Sequence, residues 1–166
     1  MEIRKICETD SREELSRVYE ESWKHAYKDI IPQAYLDAIP RGRWAKTPDM
    51  DGMYTLVLIE DGCIAGTTSF CRSRFQETAD FGEIVSIYLL PEYMGKGYGE
   101  ALLNAAVAEL SIRGFRDIFL WVLEENARAR RFYEKCGFHC AKIYLNDTIG
   151  GRALREVQYR KAIDFH

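Results

Sequence analysis

A glycine-rich segment between an apolar run and a helical pattern is the feature that most constrains this chain. Residues 91–100 read PEYMGKGYGE, after the apolar run 84–90. An alanine- and leucine-rich pattern at helical spacing follows, and Gly114 ends it. A strand, a glycine loop and a helix in this order direct unpaired backbone N–H groups and the positive end of the helix dipole to one point. The segment therefore predicts a site for a phosphate-bearing cofactor.

The glycine spacing differs from two common phosphate-binding motifs. A dinucleotide-binding fingerprint reads G-x-G-x-x-G, whereas this loop reads G-x-G-x-G. A P-loop ends in Gly-Lys-Ser or Gly-Lys-Thr, but Lys96 lies between two glycines and neither Ser nor Thr follows Gly97 or Gly99. A glycine-rich turn that only lets a helix pack closely on a sheet stays open as an alternative.

A second motif follows downstream. Residues 126–138 read NARARRFYEKCGF, which is an Asn followed by A-x-x-x-Y-x-x-x-G-F. Together with residues 94–99 (MGKGYG), it resembles the GNAT superfamily of acetyl-CoA-dependent N-acetyltransferases, whose loop pattern is [Q/R]-x-x-G-x-[G/A]. The resemblance is close over about residues 81–144 and looser over the whole chain. Met94 departs from the usual Gln or Arg, which removes a polar side-chain contact and leaves the backbone donors in place.

The order of elements indicates an α/β fold. The patterns predict helices over about 11–27, from Pro32, from the glycine loop to Gly114, and over about 127–136. Strands are predicted at 54–60 and 63–70 around an Asp-Gly turn, at 84–90 and 118–123, and at 138–144 and 152–160 around a turn at 146–151. Hairpin, strand, helix, strand, helix and hairpin in succession favour a mixed sheet. The resemblance implies one GNAT-like domain over residues 1–166, with helices flanking a central sheet whose middle strands splay apart.

The resemblance also implies how acetyl-CoA is bound. The cosubstrate lies between the splayed strands, and its pantetheine pairs with a strand edge. The backbone N–H of Leu89 then stabilises the oxyanion of the tetrahedral intermediate. The residues carried over as cofactor-binding are Ile87, Tyr88, Leu89, Leu90, Met94, Gly95, Lys96, Gly97, Tyr98, Gly99, Asn126 and Tyr133.

Two catalytic roles follow from the same resemblance. Tyr133 matches the general acid that protonates or hydrogen-bonds the departing CoA thiolate. A free Tyr has a pKa near 10 and a thiol near 8.5, so full proton transfer is uphill by roughly 2 kcal/mol and hydrogen bonding is the safer role. An acceptor amine must lose a proton before it attacks, and Glu83 is the first candidate base. Glu124 and Glu125 are the alternatives.

Composition limits the partners. The chain has 166 residues and a net charge of −3, which argues against a nucleic-acid partner and is compatible with a cationic amine acceptor. No apolar run reaches the ~18 residues of a membrane span, so a cytoplasmic location with five reduced cysteines is expected. No metal site is predicted, because residues 136–140 (CGFHC) lack a second ligand pair. A homodimer is an open alternative.

The acceptor pocket is expected in the N-terminal part, where the aromatic residues Trp23, Tyr27, Tyr35 and Trp44 could line it. The run 155–159 (REVQY) predicts a strand with no functional residue. Two other functions stay open: a non-catalytic acyl-CoA sensor, and another phosphate-cofactor enzyme such as a nucleotide-dependent oxidoreductase. The acceptor could be a small amine or a peptide.

Overall fold

The computed structural model describes residues 1–163, in which seven strands form one mixed sheet with helices on both faces. The strand order is β1-β2-β3-β4-β5-β7-β6. The strands are β1 (Glu2–Lys5), β2 (Tyr54–Glu60), β3 (Cys63–Arg72), β4 (Gly82–Leu89), β5 (Asp117–Leu123), β6 (His139–Ile149) and β7 (Arg152–Ala162). The helices are α1 (Arg12–Ala26), α2 (Gln33–Asp37), α3 (Tyr98–Ile112) and α4 (Ala127–Lys135). This architecture confirms the predicted α/β fold.

The two central strands separate part-way along their length. β4 and β5 run parallel and pair only where Gly82–Ile84 lies opposite Ile118–Leu120. β4 then continues to Leu89 and β5 to Leu123 without further pairing between them. The predicted splay is therefore confirmed, and it leaves one edge of each strand open.

A β-bulge lies where the separation begins. Ser69 of β3 pairs with Ser86, whereas the next residue, Phe70, pairs with Ile84. Val85 is thus an extra residue on β4, and an extra residue bends its strand and increases the local twist. The extra residue directly follows Ile84, the last residue of β4 that pairs with β5, so the bulge favours their separation at this point.

The two faces of the sheet bury different helices. On one face, Leu103, Ala106 and Leu110 of α3 are fully buried against Leu120 and Tyr159. These helical residues recur at intervals of three and four, which places them on one side of α3. On the other face, α1 packs through Leu15, Val18 and Tyr19, which recur at the same intervals. The sequence pattern predicted a buried stripe of Leu103, Val107 and Leu110 on α3; Val107 is only partly buried, and Ala106 is buried beside the other two.

The last hairpin differs from the sequence prediction. The predicted turn at 146–151 is shorter in the structure, because β6 continues to Ile149 and pairs there with Arg152. Gly150 and Gly151 make the turn alone, with φ values of 60° and 82°. Two successive residues with positive φ form the tight turn whose twist matches that of the flanking strands.

Within residues 1–163, none of the helices combines the length and the apolar character that a membrane crossing requires.

An ion pair attaches β1 to the segment that precedes α1. Arg4 Nη1 and Nη2 each donate to a different carboxylate oxygen of Asp10, both at 2.8 Å. The backbone N–H of Cys7 donates to the same carboxylate at 2.8 Å. Hydrogen bonding from Arg4 holds the pKa of Asp10 well below its ordinary value. The arrangement fixes where α1 begins.

Asp10→Asn is expected to lower the unfolding temperature by a few degrees near neutral pH, because the substitution removes charge-assisted bonds. The folded pKa of Asp10 is depressed, so its contribution is complete above the unfolded pKa of about 3.9 and is lost as the pH falls below it. Thermal unfolding of both proteins at about pH 7, 5 and 3 tests this. The difference should shrink at the lowest pH, and a constant difference would contradict the assignment.

Candidate active site

A cavity of about 710 Å³ opens where β4 and β5 separate. Its walls come from these two strands, the glycine loop, α4 and the end of α1. The cavity brings together most of the residues predicted from the sequence, namely Glu83, Ile87, Tyr88, Leu89, Met94, Gly95, Gly97, Gly99, Asn126 and Tyr133.

Three predicted residues direct their side chains elsewhere. Leu90 is buried in the core beside α1. The ammonium of Lys96 lies 5.4 Å from the centre of the Tyr93 ring. The hydroxyl of Tyr98 donates to Glu60 at 2.6 Å. Any contact of Lys96 or Tyr98 with a ligand in the cavity therefore falls to the backbone.

The glycine loop adopts the conformation for which glycine is suited. Gly95 and Gly97 have φ values of 76° and 82°, which L side chains rarely adopt. Gly97 is also the N-cap of α3, and no side chain caps the helix there. The first helical bond runs from the Ala101 N–H to the Gly97 carbonyl, so the N–H groups of residues 98–100 have no acceptor within the helix. The loop thus offers several free donors at the positive end of α3.

The space beside these donors is open. A Cβ atom built on Gly95 or on Gly97 meets no atom within 4 Å. A bound pyrophosphate needs both free N–H donors and room for close approach. The loop provides both, so its residues fit the phosphate groups of acetyl-CoA.

The open edge of β4 carries a second set of donors. The Leu90 N–H donates to the Ala65 carbonyl of β3 at 2.8 Å. Because successive N–H groups of a strand point to opposite edges, those of Leu89 and Ile87 point to the edge from which β5 has separated. These two N–H groups are therefore available to a ligand that extends along β4.

Tyr133 lies on α4, which Asn126 caps. The Asn126 side chain accepts a hydrogen bond from the Ala129 N–H at 3.2 Å. Burial raises the pKa of Tyr133, and the neighbouring Tyr88 adds to the increase. In the described part of the chain, no residue accepts a hydrogen bond from the Tyr133 hydroxyl. This hydroxyl therefore stays protonated and can donate into the cavity.

Comparison with known proteins identifies the family of this chain. The profile of the acetyltransferase (GNAT) family matches residues 10–138. The chain belongs to the GNAT family. It is an acetyltransferase, and acetyl-CoA is its cosubstrate. This assignment confirms the family that the two sequence motifs predicted.

Two curated relatives and one solved structure are similar to this GNAT protein over most of its length. It is 32% identical to YuaI, an uncharacterized N-acetyltransferase of Bacillus subtilis, over 68% of this chain and 66% of that protein. It is 29% identical to a spermidine N(1)-acetyltransferase of Thermoplasma acidophilum over 96% of this chain and 98% of that protein. The PaiA N-acetyltransferase of T. acidophilum, solved in complex with coenzyme A, aligns with a TM-score of 0.74 and 25% identity over 98% of each chain.

Aromatic side chains form the end of the GNAT cavity nearest α1. Trp23 Nε1 donates to the Tyr88 hydroxyl at 3.1 Å, and its ring meets Tyr27 edge-on at 5.0 Å. Burial raises the pKa of Tyr27 to about 12. Of the four aromatic residues predicted for this pocket, Trp23 and Tyr27 line the cavity, whereas Tyr35 and Trp44 pack outside it.

Glu83, the first candidate base of this GNAT protein, is bound to an arginine. Its carboxylate is 1% exposed and lines the cavity. One oxygen accepts from the Arg74 backbone N–H at 3.0 Å, and the other lies 2.5 Å from Arg74 Nη2. Protonation of Glu83 would therefore require the loss of its ion pair with Arg74.

The two alternative bases lie outside the cavity. Glu124 pairs with Arg155 at 2.5 Å, and this hydrogen bond lowers the Glu124 pKa. Glu125 pairs with Arg152 at 3.0 Å. Neither lines the cavity. Their positions favour a structural contact between the end of β5 and β7.

Two carboxylates that the sequence analysis did not predict as site residues also line the cavity, the exposed Glu100 beside the glycine loop and Glu156. Glu156 of β7 lies opposite Leu123 of β5 and reaches the cavity wall. Burial raises its pKa, Asp147 adds to the increase and Arg74 opposes it. One signal for Glu156 was available in the sequence. The residue alternates with Leu154 and Gln158 on one face of a predicted strand, so a charged side chain shares that face. The run 155–159 was interpreted only as a strand.

Proposed function

We propose that this acetyltransferase moves the acetyl group of acetyl-CoA directly to the primary amine of a small cationic acceptor, such as a polyamine. The observation that carries the proposal is one continuous cavity, in which the glycine loop lies at one end and aromatic and carboxylate side chains at the other. Aromatic faces and carboxylates are the groups that hold an ammonium ion. The spermidine acetyltransferase similar over almost the whole chain supports this acceptor class.

The backbone holds the cosubstrate in this proposal. The free N–H groups after Gly97 bind the pyrophosphate, and the open edge of β4 at Ile87 and Leu89 pairs with the pantetheine. When bound, acetyl-CoA supplies the activated acetyl group. The Leu89 N–H then donates to the carbonyl oxygen as negative charge develops on it. A donor fixed in the sheet needs no reorganisation for this role.

Tyr133 acts on the leaving group. Its hydroxyl has no protein acceptor within residues 1–163, and its raised pKa makes full proton loss unfavourable at neutral pH. A hydrogen bond to the departing thiolate stabilises that charge without requiring complete transfer. Asn126 contributes indirectly, because it caps the helix that presents Tyr133.

The acceptor class is tested by incubating the protein with acetyl-CoA and a mixed panel of polyamines, amino acids, aminoglycosides and short peptides. Products are read by mass spectrometry, since the five cysteines would react with a thiol dye. We expect a mass gain of one acetyl group on the polyamines. Acetylation of peptides alone would contradict the small-amine proposal while leaving the acetyltransferase assignment intact.

A further inference from the structure

We propose that Glu156 accepts the proton that the acceptor ammonium must lose before its nitrogen attacks the acetyl group. This inference rests on the proposed transfer to an amine. It assigns a base that differs from the predicted Glu83, Glu124 and Glu125. Three observations carry it: the position of Glu156, the absence of an ion pair or hydrogen bond to its carboxylate in the described chain, and the groups that surround it.

The strand pairing places Glu156 on the acceptor side of the sheet. Val157 and Tyr159 of β7 are buried on the face covered by α3. Leu154 instead packs with Leu123 and Ile31, near the end of α1 and the start of α2. Since alternate residues of a strand share a face, Glu156 shares the face of Leu154. It therefore points to the side of the sheet where Trp23 and Tyr27 form the aromatic end of the cavity.

Glu156 differs from the other candidate bases in its partners. Glu83, Glu124 and Glu125 each form an ion pair with an arginine. Across residues 1–163, no residue forms an ion pair or hydrogen bond with the Glu156 carboxylate. Its oxygens are not among the buried polar atoms that lack a partner, so they remain accessible from the cavity. Glu156 is therefore free to bind an ammonium ion that enters the cavity.

The surroundings of Glu156 favour proton uptake. Asp147 on the neighbouring strand β6 disfavours the ionised form, as does the burial of Glu156 itself. Arg74, from the segment between β3 and β4, favours that form, although Glu83 already pairs with this arginine. Tyr27, at the end of α1, is near enough to interact electrostatically and is neutral at working pH because its pKa is raised. Uptake of a proton thus removes a charge that partial burial and Asp147 disfavour.

The proton balance of the step is complete. An amine with a pKa near 10.4 is neutral in only about one molecule in a few thousand at pH 7. Glu156 takes one proton as the ammonium N–H bond breaks, and the freed lone pair forms the C–N bond. When the C–S bond breaks, the nitrogen loses a second proton, and the departing thiolate takes up a proton to become the thiol. Tyr133 donates a hydrogen bond to that thiolate as it leaves. Glu156 then releases its proton to solvent, so acetylated amine, thiol and one proton are the products.

The test compares Glu156→Gln with the wild type on the amines that the wild type acetylates. We expect kcat/KM at about pH 7 to fall at least about tenfold for a strongly basic amine. For a weakly basic amine, already neutral at this pH, we expect little loss, because no proton needs to be removed. The acidic limb of the pH profile should move to higher pH, and acetyl-CoA affinity should not change.

Matched variants separate this role from a structural one. Glu8→Gln removes the same charge from an exposed residue outside the cavity and should match the wild type. Glu156→Asp keeps a carboxylate and should recover part of the lost rate, which also controls for misfolding. Glu83→Gln leaves the Glu156 carboxylate in place, so the acidic limb of its pH profile should not move to higher pH.

Two results would overturn the assignment of Glu156. One is an equal loss on weakly and strongly basic amines, which would indicate a role in packing or binding. The other is a pH profile that changes in Glu83→Gln and not in Glu156→Gln. A wild type that acetylates no amine is a different result, because it would refute the proposed function itself.

Discussion

Gly97→Val is expected to weaken acetyl-CoA binding by at least about 100-fold, which corresponds to about 2.7 kcal/mol. Gly97 has a φ of 82°, and a β-branched residue held in that region costs on the order of 1–3 kcal/mol. Relief of this strain would turn the loop and misalign the free N–H groups at the start of α3. The valine side chain would also enter the open space beside the loop. Isothermal titration calorimetry with acetyl-CoA measures the change.

Gly114→Val is the matched control for this prediction. Gly114 follows the other end of α3, has a φ of 92° and does not line the cavity. The substitution imposes similar backbone strain, so it should lower stability by a similar amount while leaving acetyl-CoA affinity unchanged. Equal loss of affinity in both variants would mean that the effect comes from general destabilisation. Wild-type affinity in Gly97→Val would remove the loop from phosphate binding.

Tyr133→Phe is expected to lower kcat by about 100-fold and to change acetyl-CoA affinity much less. The variant keeps the ring, which packs against Phe138 with ring centres 6.0 Å apart, and loses only the hydroxyl. Because that hydroxyl has no hydrogen-bond acceptor within the described chain, its removal leaves no protein group unsatisfied. The loss should therefore fall on the stabilisation of the leaving thiolate. Steady-state kinetics and calorimetry together separate the two effects.

The control for Tyr133 removes a hydroxyl elsewhere. Tyr54 is 43% exposed and lies outside the cavity, so Tyr54→Phe should retain full activity. An acetyl donor whose thiol is more acidic than that of CoA should depend less on Tyr133, because its thiolate leaves without help. If kcat is the same in Tyr133→Phe and in the wild type, Tyr133 has no part in the reaction.

The separation of β4 and β5 explains how one cavity can serve two substrates. The glycine loop and α4 lie on the α3 side of the sheet, whereas Trp23 and Tyr27 approach from the α1 side. A gap between two parallel strands connects these sides without crossing the hydrophobic core. In the proposed reaction, acetyl-CoA and the amine would approach each other from opposite faces of the sheet, with the transferred group at the gap.

Much of the cofactor end of the site could be predicted from the sequence. The glycine spacing at 95–99 and the Asn and Tyr of residues 126–138 are contiguous motifs whose function depends on local backbone conformation. Positive φ at Gly95 and Gly97, the cap at Asn126 and the stripe of α3 all follow from neighbouring residues. The turn of the last hairpin was misplaced, because its two glycines close it more tightly than expected.

The pairing of charged side chains at the proposed acceptor end of the cavity depends on the tertiary structure. The Arg74–Glu83 pair and the Glu124–Arg155 pair depend on how loops and strands meet in the folded sheet. Sequence identifies a glutamate as a potential base, but only the fold shows which glutamates are already paired with arginines and that Glu156 lines the cavity without an ion pair. Backbone geometry is encoded over a few adjacent residues, whereas the charge environment of a side chain depends on residues far apart in the chain. For that reason the family and the glycine loop could be predicted from the sequence alone, whereas the proposal that Glu156 is the base required the folded structure.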